Sequence, residues 1–140
     1  MARNGPIILV EDDADDEELF ETALNELKIL NKLIWFRVCD DAFHYLKTTT
    51  DQPLIIFSDM NLPRESGIEF KRRIDNDKQL RQRSIPFVFY TTTIQKNVVT
   101  EAYTQLTVQG FFQKPFQYSE MKDLLKLILD YWHVCKHPNN

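Results

Sequence analysis

Four polar residues follow four short apolar runs, and their types indicate phosphoryl chemistry around a metal ion. The residues are Asp12, Asp59, Thr91 and Lys114. The runs before them span 7–10, 54–58, 87–90 and 111–113, at intervals that suit strand–helix repeats. Ligands of an open α/β sheet bind outside the carboxyl ends of its strands, so we expect the four side chains to converge at that rim. Acids, a hydroxyl and an ammonium gathered there predict a metal-assisted phosphoryl site.

The residue types assign a role to each member of this group. Asp12 and Asp59 would repel each other without a cation between them. Mg²⁺ takes oxygen ligands and is typically bound by one or two carboxylates with phosphate oxygens, so both are candidate ligands, with Glu11 nearby to share the ion. Asp59 is also a candidate nucleophile that accepts a phosphoryl group as an acyl phosphate. Lys114 would offset the developing charge, and the Thr91 hydroxyl would bond the phosphoryl oxygens.

The apolar patterning predicts five strands that alternate with five helices. Strands are expected at 7–10, 33–39, 54–58, 86–90 and 110–113, and helices near 15–27, 42–47, 66–77, 94–106 and 119–134. Continuous apolar runs are typical of parallel strands that are buried on both faces. The alternation predicts an α/β fold with a doubly wound, five-stranded parallel sheet.

Length, charge and composition restrict the class of protein. The 140 residues predict one domain over 1–140, with a core of about 5–134 and a short C-terminal tail. A net charge of -4 without a concentrated basic surface does not indicate nucleic acid as a ligand. Neither a signal peptide nor a membrane-spanning run is evident, so we expect a cytoplasmic protein without membrane partners. Cys39 and Cys135 are expected to be reduced there.

The chain resembles the receiver domain of two-component response regulators over nearly its whole length. The matching motifs are Glu11-Asp12, Ser58-Asp59-Met60-Asn61-Leu62-Pro63 with Gly67, Thr91, and Lys114-Pro115-Phe116. The resemblance implies the flavodoxin-like receiver fold with strand order 2-1-3-4-5. It also implies that a partner histidine kinase phosphorylates Asp59. A Mg²⁺ site is implied at Glu11, Asp12, Asp59 and the main-chain carbonyl of Asn61.

The resemblance further implies how the signal is produced. Lys114 would pair with the phosphoryl group, and Thr91 would move toward it as the switch. Phe111 stands where many receivers have a switch Tyr or Phe, and it lacks a hydroxyl for any partner to read. Thr92 stands where many receivers have Ala or Gly, which predicts narrower access to the phosphoryl group.

These residues predict a phosphorylation switch. The protein would be a phosphoacceptor rather than an enzyme that acts on other substrates, and its own site would promote phosphotransfer to Asp59 and autodephosphorylation. Its partners would be a histidine kinase or phosphotransfer protein and a downstream protein target, without an output domain. The Thr91-Thr92 pair, the wide spacing before Asp59 and the Tyr131-Trp132 ending are similar to stand-alone regulators of the bacteriophytochrome-associated type.

Two alternatives come from other functional classes. An interaction module could keep the fold without phosphorylation, but it is expected to have lost Asp59 or Lys114, and both are present. A Mg²⁺-dependent phosphohydrolase also forms an aspartyl phosphate, but it normally carries a second Asp two residues later, where this chain has Asn61.

Taken singly, the candidate residues also have structural explanations. Asp12 or Asp59 could be a helix cap or a turn residue, and Asp13 is an alternative to Asp12 as the metal ligand. The acids at 15–18 are interpreted as a solvated helix start. Three metal-ligating residue types near the C-terminus are interpreted as part of the tail, because no fourth ligand is evident: His133, Cys135 and His137.

The last helix carries more apolar surface than one core face requires. Its apolar residues occupy an arc of about 220° where about 100° would be enough. The excess either covers the sheet edge or forms a partner surface. We expect a symmetric homodimer through the face formed by the helix at 94–106, the strand at 110–113 and the helix at 119–134.

Overall fold

Within residues 2–139, five parallel strands form one sheet in the order β2-β1-β3-β4-β5, as the resemblance to receiver domains implied. The structure is a computed structural model, and it describes residues 2–139. The strands are β1 (Ile7–Val10), β2 (Leu33–Phe36), β3 (Ile55–Ser58), β4 (Phe87–Thr91) and β5 (Gly110–Gln113). Because β1, β3 and β4 lie inside the sheet, the residues that follow them emerge at the centre of its carboxyl rim.

Six helices in the described part of the chain, rather than the predicted five, pack around the sheet. They are α1 (Ala14–Glu26), α2 (Cys39–Thr48), α3 (Gly67–Asn76), α4 (Lys78–Arg83), α5 (Lys96–Gln105) and α6 (Tyr118–Val134), after a short 3₁₀ turn at Ala2–Asn4. The prediction missed α4. Asp77 has an extended backbone that ends α3, and its carboxylate accepts a hydrogen bond from the Leu80 N–H at 3.0 Å. A single residue thus terminates one helix and caps the next.

The prediction for β2 was also too long. The strand ends at Phe36, and Cys39 is the first residue of α2 instead of the last residue of the strand. Asp40 and Asp41 lie in the first turn of α2, where their charge favours the positive end of the helix dipole.

Alternate residues of each strand point to opposite faces of the sheet and form two separate cores. One core packs against α2, α3, α4 and α5, and the other against α1 and α6. Strand residues of the first are Ile8, Val10, Ile56, Phe87 and Phe89. Those of the second are Ile7, Leu9, Ile55, Phe57, Val88 and Tyr90. Burial on both faces explains why the strands are continuous apolar runs.

The segment after α6 packs back against the amino end of the sheet. His137 is fully buried, and its Nε2 donates to the carbonyl oxygen of Leu54 at 2.8 Å, while its Nδ1 accepts from the Asn139 N–H at 3.0 Å. The Asn139 amide nitrogen also donates to the carbonyl of Arg83. The short C-terminal tail at 135–139 therefore lies against the fold as a strap. Within residues 2–139, none of the helices is long and apolar enough to cross a membrane.

Candidate functional site

Three carboxylates meet at the carboxyl rim of the sheet. Glu11 follows β1 and Asp59 follows β3, and these strands pair so that Val10 lies opposite Ser58. The ladder continues for one more hydrogen bond, from the Asp59 N–H to the Val10 carbonyl at 3.0 Å. One carboxylate oxygen from each of Glu11, Asp12 and Asp59 lies within 4.8 Å of the others. The structure therefore brings together three of the residues that the sequence selected.

Lys114 completes the cluster from two strands away. Its backbone N–H donates to the Thr91 carbonyl at 2.7 Å, which fixes the residue at the end of β5. Its Nζ lies 2.6 Å from Glu11 Oε2, 3.2 Å from Asp59 Oδ2 and 3.0 Å from Asp16 Oδ2. The ammonium thus reaches across β4 to contact the acids. These contacts raise the pKa of Lys114 although burial opposes them, so the side chain is charged.

Asp16 is a member of the site that the sequence analysis missed. Its carboxylate was interpreted as part of a solvated helix start, but it pairs with Lys114. A signal was present in its position, because Asp16 lies in the first turn of the helix that directly follows β1 and its acids.

Asp59 is held in its ionised form. Burial alone would raise its pKa, but the charge of Lys114 lowers it below the usual range, assisted by the Asn61 N–H. Its Oδ1 accepts hydrogen bonds from the N–H groups of Met60 at 2.6 Å and Asn61 at 3.3 Å, so Oδ2 is the oxygen that faces Lys114. Gly67 lies directly behind, where an added Cβ would clash with the Asp59 carbonyl oxygen and crowd the Phe89 ring.

Burial disfavours the ionised form of Glu11. It raises the pKa of Glu11 to about 7, and the Asp59 charge adds to this, although Lys114 opposes both. Lys114 therefore does not fully offset the burial of this acid. Oxygen donors in this arrangement suit a hard divalent cation such as Mg²⁺, which would supply further positive charge. The residues present fit that ion, and Glu11, Asp12 and Asp59 are the side chains that could hold it.

Of the two predicted switch residues, Thr91 lies beside the cluster and Phe111 packs against the core of the sheet. The Thr91 hydroxyl is fully buried and has no hydrogen-bond partner among residues 2–139, although it lies close enough to help lower the pKa of Asp59. Phe111 is half-buried, with its ring centroid 5.2 Å from that of Phe89. Thr92 is exposed, and the Gln113 amide donates to its carbonyl at 3.2 Å.

The alternative candidates do not join the cluster. Asp13 caps α1, where its carboxylate accepts hydrogen bonds from the N–H groups of Asp15 at 2.8 Å and Asp16 at 3.4 Å. His133 Nε2 lies 3.1 Å from Asn31 Oδ1, whereas His137 is bound to the Leu54 carbonyl, so the C-terminal histidines do not converge.

An apolar groove of about 250 Å³ adjoins the acidic cluster, between α1 and the loop before α6. Leu19 and Phe116 line it, and the Phe116 side chain is fully exposed. Glu11, Asp16 and Lys114 also line it. A partner that docks in this groove would therefore lie directly beside the carboxylates.

Comparison with known proteins agrees with this geometry. The family model described as "Response regulator receiver domain" matches residues 7–126. Response regulator Rcp1 of Synechocystis sp. is 30% identical over 127 residues, which covers 87% of this chain and 82% of Rcp1.

Solved structures give the same result. The phosphorylated cyanobacterial phytochrome response regulator RcpA has a TM-score of 0.85 and 27% identity, over 96% of this chain and 99% of that chain. The Mn²⁺-bound form of Rcp1 has a TM-score of 0.82 and 26% identity, over 96% and 99% of the two chains. These relatives confirm the resemblance to phytochrome-associated regulators. The chain belongs to the response regulator receiver domain family.

Proposed function

We propose that this protein is a phosphorylation-dependent signalling switch. Asp59 accepts a phosphoryl group from a histidine kinase or phosphotransfer protein. Mg²⁺ is held by Glu11, Asp12, Asp59 and the main-chain carbonyl of Asn61. The observation that carries the proposal is the contact of Lys114 Nζ with Glu11 and Asp59, which joins three separate strand ends in one site. The phosphorylated and metal-bound forms of the similar proteins RcpA and Rcp1 support it.

The chain's own groups suit each requirement of the transfer. Asp59 is ionised, and its Oδ2 attacks phosphorus while Oδ1 stays bound to backbone N–H groups. As the new O–P bond forms, the bond from phosphorus to the imidazole nitrogen of the donor breaks and the nitrogen keeps the electron pair. Lys114 then moves its hydrogen bond from Asp59 to a phosphoryl oxygen. A bound Mg²⁺ would neutralise charge on the phosphoryl oxygens.

Thr91 and Phe111 are the residues that change position when Asp59 is phosphorylated. A buried hydroxyl without a partner is costly, and a phosphoryl oxygen on Asp59 would offer the Thr91 hydroxyl an acceptor. Movement of Thr91 toward Asp59 leaves space behind β4 for the half-buried Phe111 ring to turn inward. The surface near α5 changes as a result, and a downstream protein reads that change. Exposed Thr92 stands at the entrance and restricts access of water to the acyl phosphate.

Two surfaces suit protein partners. The groove with Leu19 and Phe116 would seat the phosphoryl donor beside Asp59, in the cytoplasm where such donors act. A homodimer would use the face of α5, β5 and α6, on which Leu127, Tyr131 and Val134 are 67%, 62% and 83% exposed. Light scattering over a concentration series with an acyl-phosphate mimic should show a dimer, and a protein that stays monomeric would contradict that assembly.

Intact-mass analysis after incubation with acetyl phosphate and Mg²⁺ tests the function. We expect one added phosphoryl group on the wild type and none on Asp59→Asn. Asp13→Asn is the matched control, because asparagine caps a helix as well as aspartate does, and it should be modified like the wild type. A folded wild type that stays unmodified, or an Asp59→Asn variant that is modified, would refute the proposal. Steady turnover of a small phosphoester would instead support the phosphohydrolase class.

A further inference from the structure

Trp35 makes a hydrogen bond to the backbone of one of the acids in the cluster. It lies in β2, at the edge of the sheet, opposite Leu9 of β1. Its indole Nε1–H donates to the backbone carbonyl of Glu11 at 2.6 Å. Tryptophan is a donor only, so this bond uses the one polar group of the ring.

The carbonyl of Glu11 depends on this donor because it lies just past the end of the strand ladder. The last hydrogen bond between β1 and β2 runs from the Glu11 N–H to the Phe36 carbonyl at 3.0 Å. Beyond it the chain bends away at 37–38, and no backbone N–H of the described chain donates to the Glu11 carbonyl. The indole therefore replaces the missing ladder partner.

The bond controls the peptide unit that joins the first two acids of the site. The Glu11 side chain is fixed independently, by the Asp13 N–H at 3.1 Å and by Lys114. The Asp12 side chain is exposed and makes no hydrogen bond or ion pair within residues 2–139, so the backbone alone directs it. Because peptide units are planar, a fixed Glu11 carbonyl also fixes the direction in which the chain enters Asp12.

Two further contacts hold the indole. The ring packs against the core that lies under α1 and α6. The Arg37 guanidinium lies over the ring, with Cζ 4.6 Å from the ring centroid. A cation in this position restrains the ring by cation–π attraction. The donor is therefore preorganised before any ligand arrives.

We infer that Trp35 is a positioning residue for the Mg²⁺ site: its indole N–H orients the Glu11–Asp12 peptide and thereby sets the affinity of the acidic cluster for the ion. This inference rests on the proposed function. It predicts that loss of the N–H weakens ion binding even when the ring shape is kept, and that the emission of Trp35 reports occupancy of the site.

An isosteric replacement separates positioning from packing. Trp35 is replaced by 3-benzothienylalanine, which keeps the two fused rings and substitutes sulfur for the N–H. The same replacement at Trp132, near the opposite end of the sheet, is the matched control. Calorimetric titration with MgCl₂ should give a dissociation constant about tenfold higher for the position-35 isostere, the lower end of the effect of outer-shell partners. The control should bind like the wild type.

The outcomes distinguish the inference from the function on which it rests. If the wild type binds Mg²⁺ and the position-35 isostere has a dissociation constant within about twofold of the wild-type value, the role of Trp35 alone is overturned. This holds even if the isostere is less stable to urea. A wild type that does not bind Mg²⁺ would overturn the metal site and the inference together. A weakened isostere with an unaffected control supports the inference.

Fluorescence gives a second readout on the natural side chain. The chain has two tryptophans, so Trp132→Phe leaves Trp35 as the only one. We expect its emission to change on titration with MgCl₂, with the dissociation constant found by calorimetry. Emission that stays constant while calorimetry shows saturation would contradict the coupling between the indole and the site.

Discussion

Replacing Lys114 with methionine removes the cation from the acidic cluster and leaves an apolar side chain of similar length. Among residues 2–139, no other Lys or Arg forms an ion pair with Glu11 or Asp59. The side chains of Lys114, Glu11 and Asp59 are 9%, 3% and 11% exposed, so solvent screens their interaction weakly. We therefore expect Lys114→Met to destabilise the metal-free protein.

The size of the destabilisation depends on how Glu11 and Asp59 respond to the loss of the Lys114 ammonium. Removing one member of a buried ion pair typically costs about 3–5 kcal/mol. Here protonation limits the loss, because the pKa of Glu11 is about 7 with Lys114 present and rises further without it. Glu11 then becomes neutral near pH 7, and Asp59 keeps its hydrogen bonds from Met60 and Asn61. We expect a loss of about 2–3 kcal/mol in the free energy of unfolding, nearer the low end.

Added Mg²⁺ should restore much of this loss. A ligand that binds only the folded state stabilises it in proportion to the logarithm of its concentration over the dissociation constant. The ion no longer competes with an ammonium in Lys114→Met, so it should stabilise the variant more than the wild type. Urea unfolding at pH 7, with EDTA and with saturating Mg²⁺, measures both effects.

Lys122→Met is the matched control. The Lys122 ammonium pairs with Glu26 at 3.4 Å on the surface, where the two side chains are 36% and 47% exposed. We expect Lys122→Met to change the free energy of unfolding by no more than about 1 kcal/mol. This difference from the wild type should be the same in EDTA and in Mg²⁺. A loss below about 1 kcal/mol for Lys114→Met in EDTA, or an equal gain from Mg²⁺ in variant and wild type, would refute the electrostatic reasoning.

Two further predictions concern buried polar groups away from the site. Burial opposes ionisation of Asp75, but the Thr107 N–H and hydroxyl and the Lys71 ammonium hold its pKa below the usual range. Asp75→Asn leaves Lys71 buried without a counter-charge and should cost about 3–5 kcal/mol in urea unfolding. Adding Lys71→Met should recover part of this loss, and a double variant no more stable than Asp75→Asn would contradict the assignment. Burial also lowers the pKa of His137 below 6.5, assisted by two neighbouring cations. The unfolded chain then binds the proton more readily, so stability should fall as pH drops through about 6.5 and below. His137→Gln should reduce this slope while exposed His44→Gln should not, and an unchanged slope in His137→Gln would disprove the assignment.

The sequence by itself determined the sheet and the residues at its rim. Strands that are buried on both faces appear in the sequence as continuous apolar runs. The residue that follows such a run can therefore be placed at the end of a strand. The five parallel strands and the placement of Glu11, Asp12, Asp59 and Lys114 at one rim could therefore be anticipated, whereas the strand order came from the resemblance to receiver domains.

Tertiary structure decided what depends on contacts between distant residues. Asp16 joins the site through a lysine 98 residues away, and Trp35 supports Glu11 across 24 residues. His137 fixes the C-terminal strap to Leu54, 83 residues earlier. The sequence does not identify the partner in any of these pairs, because hydrogen bonds to a carbonyl or a carboxylate require no periodic spacing. Their identity is set only when packing of the two cores brings the chain segments together.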